Sequence, residues 1–304
     1  MPPRAEGAGE RVATLPPLGE KPTAALVTAS YAPDFERCRL LCETVDRHVS
    51  GFSRHLILVE ERDVTLFRAL ETPRRTVVSE RDLLPAWLRP FSDPLSWGKR
   101  RIWLSPRTPP LRGWHVQQLR RIAIADHVGE DLLVFCDSDV AFTRAFDCSV
   151  FAENGRARLY RADPPLPEGL HRRWSAQAGR ALGLAEPSTR DYIATLIAWR
   201  ADATRAMRDH IERTTGRHWI AAVTRARQFS ECLLYGRFAE EVLAGAGHAP
   251  DPRNFCHIHW TGPTPTDESF QRFLAEMKPW QSAIGIQSFM GMDPDRIRRL
   301  LGEA

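Results

Sequence analysis

The sequence predicts an α/β protein: a mostly parallel, Rossmann-like sheet with helices on both faces, formed as a single large domain. Three observations carry that prediction. Short apolar and β-branched runs alternate with segments of helical period, beginning with Ala24-Ala25-Leu26-Val27-Thr28-Ala29-Ser30, then 35–49, then His55-Leu56-Ile57-Leu58-Val59. The run Leu132-Leu133-Val134-Phe135-Cys136 is apolar at every position, as a strand covered on both faces must be. The chain has 304 residues, 43% of them hydrophobic, enough for one sizeable core.

Taken in order, residues 1–22 are rich in Pro, Gly and Ala without the apolar core of a signal peptide, and read as a flexible tail ahead of a domain over 23–280. The first strand ends in Ser30 and Tyr31. Asp34 is placed to cap the next helix, where Phe35, Cys38, Leu41, Cys42, Val45 and Val49 recur at helical spacing. A third strand centres on Thr76-Val77-Val78. Residues 84–112 carry Pro85, Pro90, Pro94, Pro106, Pro109 and Pro110 and read as an irregular lid or loop. A helix over 113–128 packs through Trp114, Leu119, Ile122 and Ala123 and leads into the central strand. Downstream the pattern gives strands at 157–160 and 193–199, helices at 172–184, 202–226 and 231–243, a strand at 254–260 and a helix to Met277. Residues 281–304 read as a C-terminal extension ending in a helix.

Composition narrows the function. A net charge of +4 with scattered arginines lacks the dense basic stripe of a nucleic-acid protein, and suits an anionic small molecule or at most peripheral membrane contact. The six cysteines show no Cys-x-x-Cys spacing, and several sit in apolar runs, the pattern of a reduced cytoplasmic protein. No segment approaches the roughly 18 apolar residues of a spanning helix.

The chemistry concentrates at Asp137-Ser138-Asp139. In open α/β sheets ligands bind outside the carboxyl ends of the strands, and residues i and i+2 of extended chain point the same way. Asp137 and Asp139 can therefore share one divalent cation, and hard oxygen ligands suit Mg²⁺ or Mn²⁺. The plain alternative is a solvated strand end. His257 and His259 share a strand face and could add a metal ligand, or be ordinary satisfied histidines. Ser230-Glu231 reads as a helix cap with a favourable first-turn acid, and Glu231 as a carboxylate able to take a proton. Lys99, Arg100 and Arg101, like Arg120 and Arg121, read first as solvated charges and second as a phosphate clamp.

Together the strand ending Val27-Thr28-Ala29-Ser30, the central Asp137-Ser138-Asp139, and the late His259-Trp260-Thr261-Gly262-Pro263 with Lys278-Pro279-Trp280 resemble the GT-A-fold nucleotide-sugar glycosyltransferases. The C-terminal elements are similar to the glycogenin and lipopolysaccharide galactosyltransferase type. Gly113-Trp114-His115-Val116-Gln117-Gln118 and the Ser230-Glu231 helix resemble a bacterial family of uncharacterised GT-A-like proteins. The resemblance implies a GT-A-like catalytic domain that moves a sugar from a nucleoside diphosphate donor to a saccharide or other hydroxyl acceptor. It implies Mn²⁺ or Mg²⁺ held by Asp137, Asp139 and His259, donor contacts from Thr28, Ser30, Tyr31, Gln118, Ser138 and Lys278, and Glu231 as acceptor base. Two competitors share the pattern: a haloacid-dehalogenase-like phosphatase with Asp137 as nucleophile, and a non-catalytic nucleotide-binding module.

Overall fold

The computed structural model describes residues 15–97, 100–185, 187–226 and 228–302; most of the N-terminal tail, and Lys99 of the basic cluster, lie outside them. The first half winds as its pattern predicts: β1 (Ala24–Ala29), α1 (Phe35–His48), β2 (Arg54–Val59) and β3 (Arg75–Ser79). Asp34 stands at the N-cap of α1, but its side chain makes no capping bond.

The described residues of 84–112 are not wholly irregular. They form a small antiparallel sheet, β4 (Arg89–Ser92), β5 (Arg101–Leu104) and β6 (Leu111–Arg112), in that order. Proline is compatible here because Pro90 sits in an edge strand, where a missing N–H breaks no ladder on its outer side. The sheet is anchored by Trp103 and Leu111, both buried in the main core.

Next come α2 (Gly113–Ala123), β7 (Leu132–Cys136), β8 (Val140–Phe142), β9 (Arg156–Tyr160), α3 (Leu170–Leu182), β10 (Leu196–Arg200) and α4 (Ala201–Thr215). The helix expected over 202–226 ends early, because Gly216 turns left-handed at φ 64° and closes α4. The chain ends with α5 (Glu231–Arg237), β11 (His248–Asp251), β12 (Cys256–His259), α6 (Asp267–Ala275), β13 (Ala283–Ile286) and α7 (Pro294–Leu301).

The main sheet has the order β10-β7-β1-β2-β3, with β7, β1, β2 and β3 parallel and β10 antiparallel at the edge. Alternation along the strands separates its two faces. Val27, Leu56, Leu133 and Phe135 pack with Val116, Leu119 and Ile122 of α2. Leu26 and Val134 pack with Leu41 and Val45 of α1. At about 1.5–3 kcal/mol for each fully buried large apolar side chain, these two interfaces hold the sheet between its helices. The fold is thus α/β and Rossmann-like, mostly parallel and covered on both faces.

The C-terminal residues are not an appendage. β13 is the middle strand of a second sheet, β12-β13-β8, parallel to β12 and antiparallel to β8. Ile284 and Ile286 bury with Leu40 of α1, Phe270 of α6 and Ile297 of α7. A boundary at residue 280 would cut through this core. Among the described residues no helix is long and apolar enough to cross a membrane, and all six cysteines are buried and unpaired.

Candidate functional site

The strand order turns at β1 and β7: β2 and β3 lie to one side of β1, β7 and β10 to the other. A crevice opens outside the carboxyl ends of the strands at such a switch point, which is where ligands of open α/β sheets bind. β1 runs out there at Ser30 and β7 at Asp137. Asp137 and Asp139 are partly buried, and Ser138 between them is buried. The Asp139 carboxylate accepts the Ser288 N–H at Oδ2, 3.2 Å away, while its Oδ1 is buried without a hydrogen-bond partner.

Arg121 organises the crevice. It lies on α2 one turn beyond Gln117 and Gln118, so the stripe Trp114, Gln118, Arg121 at i, i+4, i+7 turns one helix face toward the end of β7. Its Nη1 is 3.2 Å from Asp137 Oδ1 and 3.0 Å from Glu231 Oε1, and its guanidinium carbon sits 4.7 Å from the Phe135 ring centre. Burial draws the Arg121 pKa down, but Glu231 and Asp137 more than offset it, so the guanidinium is held charged. Burial pushes the Asp137 carboxyl up to about 6, with Arg121 opposing and Glu231 adding to the rise. Asp139 is pushed up to about 7, first by burial and then by the negative charge of Asp137. The negative charge of Glu231 thus bears on Asp137 and that of Asp137 on Asp139, a site short of positive charge.

Glu231 is the first residue of α5. Ser230 caps the helix, its Oγ accepting the Leu233 N–H at 3.5 Å, as the sequence predicts. The Glu231 N–H donates to Gln118 Oε1 at 3.0 Å, and Gln118 Nε2 donates to the Trp114 carbonyl at 3.3 Å. Gln118 is thus committed to placing Glu231. These groups line a cleft of about 250 Å³ together with Trp174, Trp260 and Gln287.

The other sequence-derived residues fall outside this cleft. Thr28 is fully buried, its hydroxyl 3.0 Å from His55 Nε2. Arg75 donates to His55 Nδ1 at 3.1 Å, which leaves Nε2 to carry the proton toward Thr28. The Thr28 side chain therefore faces the α1 side and lines no nucleoside pocket. Ser30 is buried beside the Cys38 thiol, and Tyr31 stays 40% exposed, its phenol raised by burial and by Asp34. Lys278 is exposed in the turn before β13; its N–H donates to Gln281 Oε1 at 2.8 Å and its carbonyl accepts from Arg144. His259 lies against Phe273, ring centres 5.8 Å apart, and His257 stacks on the same ring at 4.2 Å. Register explains this: β12 pairs with β13 so that His257 and His259 stand beside Ile284 and Ile286, on the face that packs toward α6. Trp260, the next residue, lines the cleft instead.

For a divalent cation the donor chemistry of the two carboxylates is suitable, and the histidine is not brought to them. Asp137 and Asp139 supply hard oxygens, one of them an unpartnered buried atom, and Mg²⁺ often takes only one or two protein carboxylates. Among the described residues no three His, Cys, Asp or Glu side chains converge as a ligand group, so His259 does not complete the shell implied for it.

A second buried charge cluster stands at the ends of β2 and β3. Glu80, buried, is pushed up to about 7 by desolvation, against Arg120 and with Glu60 adding to the rise. Arg120, also buried, donates to the Leu58 carbonyl at 3.4 Å. Both adjacent arginines of α2, read first as solvated, are inside the protein.

Fold and site together define an α/β protein with a cleft, where the strand order turns, lined by Asp137, Glu231 and the arginine they share. The chain belongs to a family of unknown function, DUF6492, whose model matches residues 23–293, past residue 280 and through β13. No curated protein matches it.

Proposed function

We propose that the chain is a metal-dependent glycosyltransferase of the GT-A type, moving a sugar from a nucleoside diphosphate donor to a hydroxyl acceptor with Mn²⁺ or Mg²⁺. The observation that carries this reading is the Asp137–Asp139 pair at the switch point, with Asp139 Oδ1 buried and unpartnered. The cation, held by Asp137 and Asp139, would neutralise charge on the departing diphosphate.

The residues of the chain do the rest. Glu231, paired with Arg121 and fixed at its amide by Gln118, accepts the proton of the attacking hydroxyl. The acceptor oxygen bonds to the anomeric carbon as the bond from that carbon to the diphosphate oxygen breaks, which inverts configuration. Arg121 lies 3.2 Å from Asp137 and 3.0 Å from Glu231, which ties the base to the metal-binding strand end and fixes their relative position. Tyr31 and Ser138 remain the proposed donor contacts; Thr28, Ser30 and Lys278 drop out of that role, Gln118 positions Glu231 instead, and His259 drops out of the metal shell. The cytoplasm is the proposed compartment, in keeping with six buried unpaired thiols.

The test is turnover of a panel of nucleoside diphosphate sugars, read by release of the nucleoside diphosphate with Mn²⁺, with Mg²⁺ and with chelator. Metal-dependent release that is lost in Asp139→Ala supports the reading. Release undiminished in that variant, or no release with any donor and either metal, overturns it.

A further inference from the structure

The cleft that holds Glu231 also holds aromatic rings that the chemistry above does not use. Trp114 and Trp260 are each 46% exposed, whereas Trp103 and Trp199 are 1% and 2% exposed. Trp114 and Trp174 touch, ring centres 5.3 Å apart and planes 33° from parallel, and His171 packs edge-on to Trp174 at 4.9 Å. All four rings line the cleft beside Glu231 and Gln118. Because Trp114 and Trp174 are in contact with each other, they form one continuous wall and cannot sandwich a flat base between them.

Charge decides what that wall receives. Among the cleft-lining residues the carboxylates are Asp137 and Glu231, and the guanidinium of Arg121 is already shared by both. Only Nη1 makes those contacts, and Nε and Nη2 are buried without a partner; among the described lining residues two carboxylates thus face one guanidinium, and no net positive charge is offered to a phosphate or carboxylate on the acceptor. A wholly apolar acceptor would desolvate Gln117, Gln118, Gln287 and Glu231 without hydrogen bonds in return. A neutral sugar ring meets both demands, with a C–H face for the indoles and a rim of hydroxyls for the amides and the carboxylate.

We infer that the acceptor is a neutral saccharide, stacked on the Trp114–Trp174 wall so that one hydroxyl faces Glu231. The reacting role of that hydroxyl rests on the transferase reading; the stacking does not. The two are therefore separable by experiment. Calorimetry and saturation-transfer NMR on the full chain, without nucleotide or metal, would use neutral hexasaccharides of glucose, xylose, galactose, mannose and N-acetylglucosamine. An oligoglucuronate serves as charged control and uridine and adenosine monophosphates as base controls.

The expected result is binding of at least one neutral oligosaccharide, weakened tenfold or more in Trp114→Ala and Trp174→Ala, partly restored in Trp114→Phe, and unchanged in Trp97→Ala, a 94% exposed tryptophan outside the cleft lining. Retained folding of the variants is read from their melting temperatures. Absence of binding by every neutral oligosaccharide, equal binding by Trp114→Ala and Trp114→Phe at wild-type strength, or displacement of the sugar by the monophosphates overturns the inference. Turnover of a nucleotide sugar without saccharide binding would sink this inference alone. Saccharide binding without turnover of any nucleotide sugar would sink the transferase reading alone.

Discussion

Arg121→Met isolates the charge that the site is built on. Methionine keeps the unbranched stem against Phe135 and removes only the guanidinium, leaving Glu231 buried and Asp137 about 30% exposed, with no cation between them. Removing one partner of a buried ion pair costs about 3–5 kcal/mol, because the remaining charge stays desolvated. Asp137 keeps some water, so most of the cost falls on Glu231 and the lower part of that range applies. For a chain of this size each kcal/mol moves the melting temperature by about 2 °C, giving a fall of roughly 6–8 °C. The assay is urea denaturation of wild type, Arg121→Met, Glu231→Gln and the double variant. Once Arg121 is gone, neutralising Glu231 removes a stranded charge, so the double variant should be more stable than the sum of the two losses by about 1–3 kcal/mol. Losses that add to within about 0.5 kcal/mol, or a melting temperature that falls by less than about 2 °C, would refute the shared-charge account.

Two other predictions concern packing and pH. Gly236 of α5 lies under Tyr192: a Cβ there would meet the ring at 2.1 Å, and the ring is fixed by the Tyr192 hydroxyl donating to Glu240 Oε2 at 2.6 Å. Gly236→Ala should cost at least about 1–3 kcal/mol in urea denaturation, and an unchanged midpoint would show that the ring yields freely. Burial pushes the Glu80 carboxyl up to about 7, against about 4.5 for an ordinary glutamate, so the folded state holds its proton more tightly than the unfolded chain. Stability from this group is present below pH 4.5 and is lost as pH rises to about 7, by up to about 3 kcal/mol. The slope of stability against pH over that window should flatten in Glu80→Gln, and a slope unchanged in the variant would contradict the burial of that carboxyl.

Much of the sheet was legible because its strands are covered on both faces. Leu132 to Cys136 and Leu56 to Val59 are apolar throughout, as strands covered on both faces must be. The Ser230 cap was legible for a local reason, a side chain bonding its own next turn. The second sheet was not, since Ala283-Ile284-Gly285-Ile286 is too short to declare itself and becomes a strand by pairing with β12 and β8. That same pairing sets which way His259 points, and register to a distant strand leaves no trace in the spacing His257-Ile258-His259. Arg121 was legible in part: the stripe Trp114, Gln118, Arg121 lies on one helix face, but an arginine on a helix is solvated by default, and only the approach of β7 and α5 buries it. The hairpins of 89–112 were hidden by prolines that a sheet edge tolerates.

The central claim is that Asp137 and Asp139 bind a divalent cation together with a nucleoside diphosphate. Calorimetric titration of the five common nucleoside diphosphates, each with Mn²⁺, with Mg²⁺ and with chelator, tests it most directly, on wild type and on Asp139→Ala. The account predicts that one base binds only when metal is present, and that Asp139→Ala abolishes the binding while keeping a melting temperature close to that of wild type. Binding that is indifferent to metal, equal binding by Asp139→Ala, or no binding by any of the five would contradict it.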